Sequence, residues 1–272
     1  MLPAFIGAGS GLETHFIPAL ERQALASPRK LLIVLHGKGD ELSSFYDLPH
    51  ELPLPQTDYL LLNAPYPMKE GRKWMLWDEP RHRPTLELTR SKLQMLVAEL
   101  EAWGYPPEQI LWLGHSQGGR VALDLVLNST LRFAGLIGVS SYMGWMLAER
   151  QGLSTLDLSR SSVACARSTP MLFTHGRRDR VITPREIRGD IQQARALGFD
   201  VTYAEFEKGH EFEDPREMRF IQAWVQARRW RSFPMSGVND VRSGSASRSK
   251  APASHAKGRI VADLHRPTQA EP

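Results

Sequence analysis

The residues with the clearest chemical potential are Gly114-His115-Ser116-Gln117-Gly118, which directly follow the apolar run 109–113. This is the only Gly-x-Ser-x-Gly in the chain, and the stretch 119–127 behind it consists mostly of residues that bury and coil well. A serine on a sharp turn from strand to helix has a strained backbone that lifts its hydroxyl clear of a sheet. Flanking glycines leave room for the bend. Such a hydroxyl is placed for nucleophilic attack on a carbonyl carbon. The bland alternative is an ordinary Gly/Ser loop, and the strand pattern before it and the helix pattern after it argue against that.

A hydroxyl is a weak nucleophile at neutral pH, so it needs a base, and the base needs an acid to fix its tautomer. Nine histidines are available. His255 and His265 fall in a polar C-terminal segment, and His15 and His50 in peripheral ones. His36 and His175 stand at strand ends before glycine, where a histidine more often orders a loop. His115 adjoins the serine, but neighbouring side chains diverge along a sharp turn. His210, after the last strand pattern and before the final helix pattern, is the base expected. Asp179 is the acid expected, since it lies in a strand-end loop between serine and histidine in the chain. A turn or cap role is its alternative. Asp124 and Asp190 sit in helix patterns, and Asp200 begins a strand.

A developing oxyanion needs backbone N–H donors already in place. Gln117, just after the serine, would supply one. Lys38, in the glycine-rich loop 35–40 after the first buried strand, would supply the other through its amide. That loop lacks the Gly-Lys-Ser/Thr ending of a phosphate cradle. Trp74 and Trp77, and Met143 and Trp145, lie in irregular segments where they could line a substrate channel or simply anchor loops. No His/Cys/Asp/Glu cluster has metal-ligand spacing and no Gly-x-Gly-x-x-Gly follows a strand, so neither a metal nor any other cofactor is expected.

These side chains need a scaffold that gathers strand ends along one rim. Short apolar runs read as buried strands at 30–35, 59–63, 109–113, 133–139, 170–174 and 201–206, with 14–18 as an antiparallel edge. Helix patterns occupy 85–103, 119–127, 184–197 and 215–230, the third opened by Thr183-Pro184. Alternating strands and helices predict an α/β fold with a mostly parallel central sheet and helices on both faces. In such a sheet functional groups belong beyond the carboxyl ends of the strands.

The chain has 272 residues, enough for one sizeable core, and its 42% hydrophobic and 24% charged content suits a soluble globular protein. A single cysteine, Cys165, excludes an intrachain disulfide and fits a reducing compartment, so a cytoplasmic location is expected. No run of about 20 apolar residues offers a membrane span. The seven Lys/Arg and three Asp/Glu from Arg231 onward account for the whole net charge of +4. The neutral body therefore gives no support to a nucleic-acid groove. Residues 1–231 read as one catalytic domain, and residues 232–272 as a disordered basic tail rich in Ser, Ala and Gly.

The motifs Leu35-His-Gly-Lys-Gly-Asp40, Asn63-Ala-Pro65, Trp74-Met-Leu-Trp-Asp78, Gly114-His-Ser-Gln-Gly-Gly119, His175-Gly-Arg-Arg-Asp179 and Gly209-His210 occur in one order over roughly residues 11–230. Together they resemble the carboxylesterase/acyl-protein thioesterase (phospholipase/carboxylesterase) branch of the α/β-hydrolase superfamily. The resemblance implies a Ser116–Asp179–His210 triad and an oxyanion hole at Lys38 and Gln117. That family commonly carries an apolar residue where Lys38 stands. The expected activity is hydrolysis of carboxylic esters with small to medium acyl chains, on a small-molecule ester or acyl-thioester. A thioesterase or lysophospholipase acting on acylated protein or carrier is the alternative. A non-catalytic binding protein on a hydrolase scaffold is the second. A homodimer is left open.

Overall fold

The computed structural model describes residues 7–20, 29–76, 82–144 and 161–228. A seven-stranded sheet has the order β1-β3-β2-β6-β7-β8-β9. Its strands are β1 (Thr14–Ile17), β2 (Lys30–Leu35), β3 (Thr57–Leu62), β6 (Ile110–His115), β7 (Gly135–Val139), β8 (Met171–Gly176) and β9 (Val201–Phe206). Only β1 runs antiparallel to its neighbour, pairing Thr14 with Leu62 at one end and Ile17 with Tyr59 at the other. A separate small hairpin joins β4 (Tyr66–Pro67) to β5 (Arg72–Lys73). The helices are α1 (Leu48–Glu51), α2 (His82–Ala102), α3 (Gln117–Leu127), α4 (Ser161–Ser168), α5 (Pro184–Ala196) and α6 (Pro215–Ala227).

The apolar runs make buried strands because both faces of the sheet are covered. In β2, Leu31, Ile33 and Leu35 share a core with Leu93, Leu96 and Leu100 of α2, Val121 and Leu125 of α3, and Ile187 and Ile191 of α5. The intervening Leu32 and Val34 face the opposite side, against Leu48 of α1 and Met218, Ile221 and Val225 of α6. Each such side chain, taken out of water, contributes about 1.5–3 kcal/mol. The period-2 alternation of β2 thus holds helices on both faces, as the sequence pattern predicts.

Helix starts follow local chemistry. Thr183 and Glu186 form a capping box ahead of α5, with Pro184 at its first position. Asp214 accepts from the Arg216 amide at 2.7 Å and opens α6 in the same manner. Several features depart from the sequence reading: β7 begins later, at Gly135, β8 runs on to Gly176, and α1 and α4 have no counterpart in it. β3 begins earlier, at Thr57, and β6 runs on to His115. α2 starts at His82, before Pro84, which fits a first turn because that turn needs no internal donor there. The β4–β5 hairpin has two residues per strand, too few for any periodic signal. Trp77, Trp145 and the tail from 232 lie outside the described residues.

Candidate active site

β6 ends at His115 and α3 begins at Gln117, so one residue makes the whole turn. That residue, Ser116, has φ 50° and ψ −116°, a conformation a non-glycine side chain holds at a cost of about 1–3 kcal/mol. Its surroundings leave it no alternative. The Ser116 N–H donates to Val139 O at 2.9 Å, and the Ser141 hydroxyl donates to Ser116 O at 2.9 Å. A Cβ on Gly118 would lie 2.6 Å from His36 O and closer still to Leu35 O, so α3 can approach β2 only without one. A Cβ on Gly37 would lie 3.6 Å from Ser116 Cβ, which places the first strand-end loop against the serine.

The remaining predicted partners come from the ends of β8 and β9. His210 Nε2 lies 2.9 Å from Ser116 Oγ, and His210 Nδ1 lies 2.8 Å from Asp179 Oδ2. A carboxylate only accepts, so Nδ1 carries the proton and Nε2 presents its lone pair to the serine hydroxyl. Asp179 Oδ1 accepts from the amides of Val181 and Ile182 at 2.8 and 3.0 Å. Burial opposes its charge, but hydrogen bonds from His210 and these amides outweigh that and hold its carboxyl below the ordinary value. The Asp179 side chain is fully buried, whereas that of His210 is 22% exposed, so the imidazole is within reach of a ligand and the carboxylate is not.

Other histidines act on this array through the backbone. His175 Nε2 donates to Ile182 O at 2.8 Å and lies 3.2 Å from Asp179 Oδ2, so it braces the loop that carries Asp179. His36 donates through Nδ1 to Gly37 O at 2.6 Å and accepts at Nε2 from the Ala64 amide at 3.1 Å. Both take the loop-ordering role that their sequence positions suggest. His115 Nε2 donates to His210 O at 2.8 Å, and its ring stacks on Phe212. Burial pushes the His115 imidazole down to about 4, so it stays neutral. This backbone contact was not legible in the sequence, where His115 counted only as a failed base.

The loop after β2 is held by the hairpin: Gly39 N–H donates to Arg72 O at 2.8 Å, and Asp40 N–H to Gly37 O at 3.4 Å. The Lys38 N–H takes no part in those bonds, and its side chain is exposed. Gln117 opens α3, so its amide is among those a helix leaves without an internal acceptor. Its buried side chain accepts from Trp74 N at 2.7 Å and donates to Met75 O at 3.2 Å. Trp74 is fully buried, with its indole N–H on His36 O at 2.8 Å. Met143 is fully buried too, and its amide donates to Asp190 Oδ2 at 3.0 Å. Both therefore make anchoring contacts.

The other aspartates weighed are engaged elsewhere. Asp124 pairs with Arg90 at 3.2 Å, Asp190 holds the amides of Met143 and Gly144, and Asp200 pairs with Arg228 at 2.7 Å. The structure also shows a group that the sequence reading passed over. Lys208 is 3% exposed and lies 3.0 Å from the fully buried Glu217.

Comparison with known proteins agrees with this architecture. The profile of the phospholipase/carboxylesterase family matches residues 22–228. A Gibberella zeae protein named acyl-protein thioesterase 1 is 25% identical over 141 residues, 52% of this chain and 57% of that one. For the first such relatives the match spans little more than half of their lengths. A protein of Oryza sativa subsp. japonica named as a carboxylesterase is 26% identical over 236 residues, 80% of this chain and 84% of that one. The crystal structure of Zea mays acyl-protein thioesterase 2 has a TM-score of 0.62 at 20% identity, covering 79% of this chain and 98% of that one. The described fold is that of the α/β-hydrolases, and the chain belongs to the phospholipase/carboxylesterase family.

Proposed function

We propose that the protein is a serine hydrolase that cleaves carboxylic esters of small to medium acyl chains. The observation that carries this reading is the unbroken series Ser116 Oγ, His210 Nε2, His210 Nδ1, Asp179 Oδ2, with links of 2.9 and 2.8 Å. Ser116 Oγ attacks the ester carbonyl while His210 Nε2 takes its proton. Asp179 stabilises the imidazolium that results and does not itself become protonated. The amides of Gln117 and Lys38 receive the oxyanion. Collapse of the tetrahedral intermediate passes the proton from His210 to the departing alkoxide and leaves an acyl-serine. Water then attacks with His210 again as base, releasing the acid and restoring Ser116.

The buried Trp74 and Met143 support this site from behind, by fixing the segments that face the ligand. Among the described residues no helix is long and apolar enough to cross a membrane. We place the reaction in the cytoplasm on the single-cysteine composition. Hydrolysis of p-nitrophenyl acetate and butyrate by wild type and Ser116→Ala tests the reading. The variant should lose about 10⁴-fold or more in kcat, and equal rates would remove the proposal.

A thioester substrate is the second reading, favoured by the thioesterase name of the Gibberella relative. Competition between acyl-thioesters or lipidated peptides and simple esters separates the two. Preference for the thioester would replace the ester assignment without touching the roles of Ser116, His210 and Asp179.

A further inference from the structure

Behind His210 lies a buried ion pair between Lys208 and Glu217. Lys208 Nζ forms an ion pair with Glu217 Oε2 at 3.0 Å and donates to Ser140 Oγ at 3.0 Å and to the carbonyl of Glu211. The acceptors belong to α6, to the end of β7 and to the far side of the loop that carries His210. The Glu211 bond closes residues 208–211 into a ring with His210 on its bend. Glu211 Oε1 tightens the same ring by accepting from Gly209 N at 2.8 Å.

The backbone of Lys208 reaches the acid as well, since its carbonyl accepts from Arg178 N–H at 3.0 Å, one residue before Asp179. Ser140, with φ 46°, is strained, and such a conformation persists only where neighbours over-determine it. Its amide donates to Thr174 O at 2.9 Å and its hydroxyl is fixed by Lys208. The next residue, Ser141, donates to Ser116 O. Lys208 is thus linked, through its side chain, its carbonyl and the Ser140–Ser141 segment, to the loops that carry Ser116, Asp179 and His210.

Stability alone does not call for an ion pair here. A well-packed apolar pair of similar volume commonly serves a buried site as well or better. We propose that Lys208, paired with Glu217, is a positioning residue for His210, holding the base loop in register with the nucleophile turn. This rests on the role assigned to His210 above.

The test uses the full chain carrying Lys208→Met with Glu217→Leu, which removes both charges together. Melting within a few degrees of wild type is expected. For p-nitrophenyl butyrate, kcat should fall about 10²-fold, the scale of a misplacement near 1 Å, with KM within about threefold. The low-field resonance of the His210 Nδ1 proton should be lost or broadened in the substrate-free protein. A folded double variant with wild-type kcat and an unchanged resonance would overturn the proposal. Should the double variant not fold, Ser140→Ala decides, because it keeps the ion pair and removes only the link to β7. About tenfold lower kcat at unchanged KM is expected there, and an unchanged kcat sinks the idea. If wild type turns over no ester, the function above fails, and the resonance in wild type and variants alone decides the positioning role.

Discussion

The two halves of the site are held in place by different physics. Around Ser116 the constraint is exclusion: Gly37 and Gly118 lie so close to β2, β6 and α3 that a single methyl group has no room. Around Asp179 and His210 the constraint is attraction: amides, two histidines and a buried ammonium converge on one carboxylate and one loop. Steric exclusion fixes Ser116 as part of the fold itself. Hydrogen bonding fixes Asp179 and His210 as an attachment to that fold, which chemistry can disable while packing survives.

The largest expected effect tests the attached half. Asp179→Asn keeps an oxygen for the Val181 and Ile182 amides but faces His210 with an N–H group, favouring the wrong imidazole tautomer. Ester turnover should drop about 10⁴-fold while the melting temperature changes little. Gly118→Ala tests the other half and should lose fold and activity together. Its Cβ meets backbone carbonyls of β2 that cannot yield, so a loss at or above the upper end of about 1–3 kcal/mol is expected in urea unfolding. A soluble, stable Gly118→Ala protein would break the contrast.

His115 crosses from one half to the other, and its titration gives a graded measurement. Its imidazole is neutral in the fold, pushed from 6.5 to about 4 by burial. Between those values the unfolded chain binds a proton that the folded chain refuses, so stability is complete above pH 6.5 and declines as pH falls. Unfolding free energies at pH 7 and 4 should differ by about 2–3 kcal/mol from this group alone. His115→Gln should flatten that slope. His36 and His175, also lowered by burial, act with the same sign. Asp179 is depressed instead, so its contribution disappears only at more acid pH, below the carboxylate's ordinary 3.8. The smallest effect is expected from Gln117→Met, which removes two buried side-chain bonds to the 74–75 segment and keeps the amide. About 1–2 kcal/mol of stability should be lost, read as a shift in denaturant midpoint.

The half built by exclusion was the more legible in sequence, because a strand pattern before the glycine-flanked serine and a helix pattern after it point to a tight turn. β2 and β9 were legible residue for residue, since apolar runs with abrupt polar ends leave little choice of boundary. The attached half was legible in its principal residues, Asp179 and His210, through their positions after strand patterns. Its supports were not. Lysine and glutamate read as surface residues, and nothing local marks Lys208 and Glu217 as fully enclosed partners. His115 was judged on whether its side chain reached Ser116, whereas its bond goes to a main-chain oxygen 95 residues away. The tryptophan of the 74–75 segment carries no sign of which way it turns, and burial beneath His36 is a tertiary outcome.

The separation of 94 residues between Ser116 and His210 has a consequence for biosynthesis. As the ribosome extends the chain, the serine turn and its glycines emerge long before any proton acceptor exists for it. On the proposed reading, a product that stops short of residue 210 carries a serine hydroxyl with no imidazole to take its proton. Reactivity, on that reading, waits for the loop after β9, 94 residues beyond the serine turn.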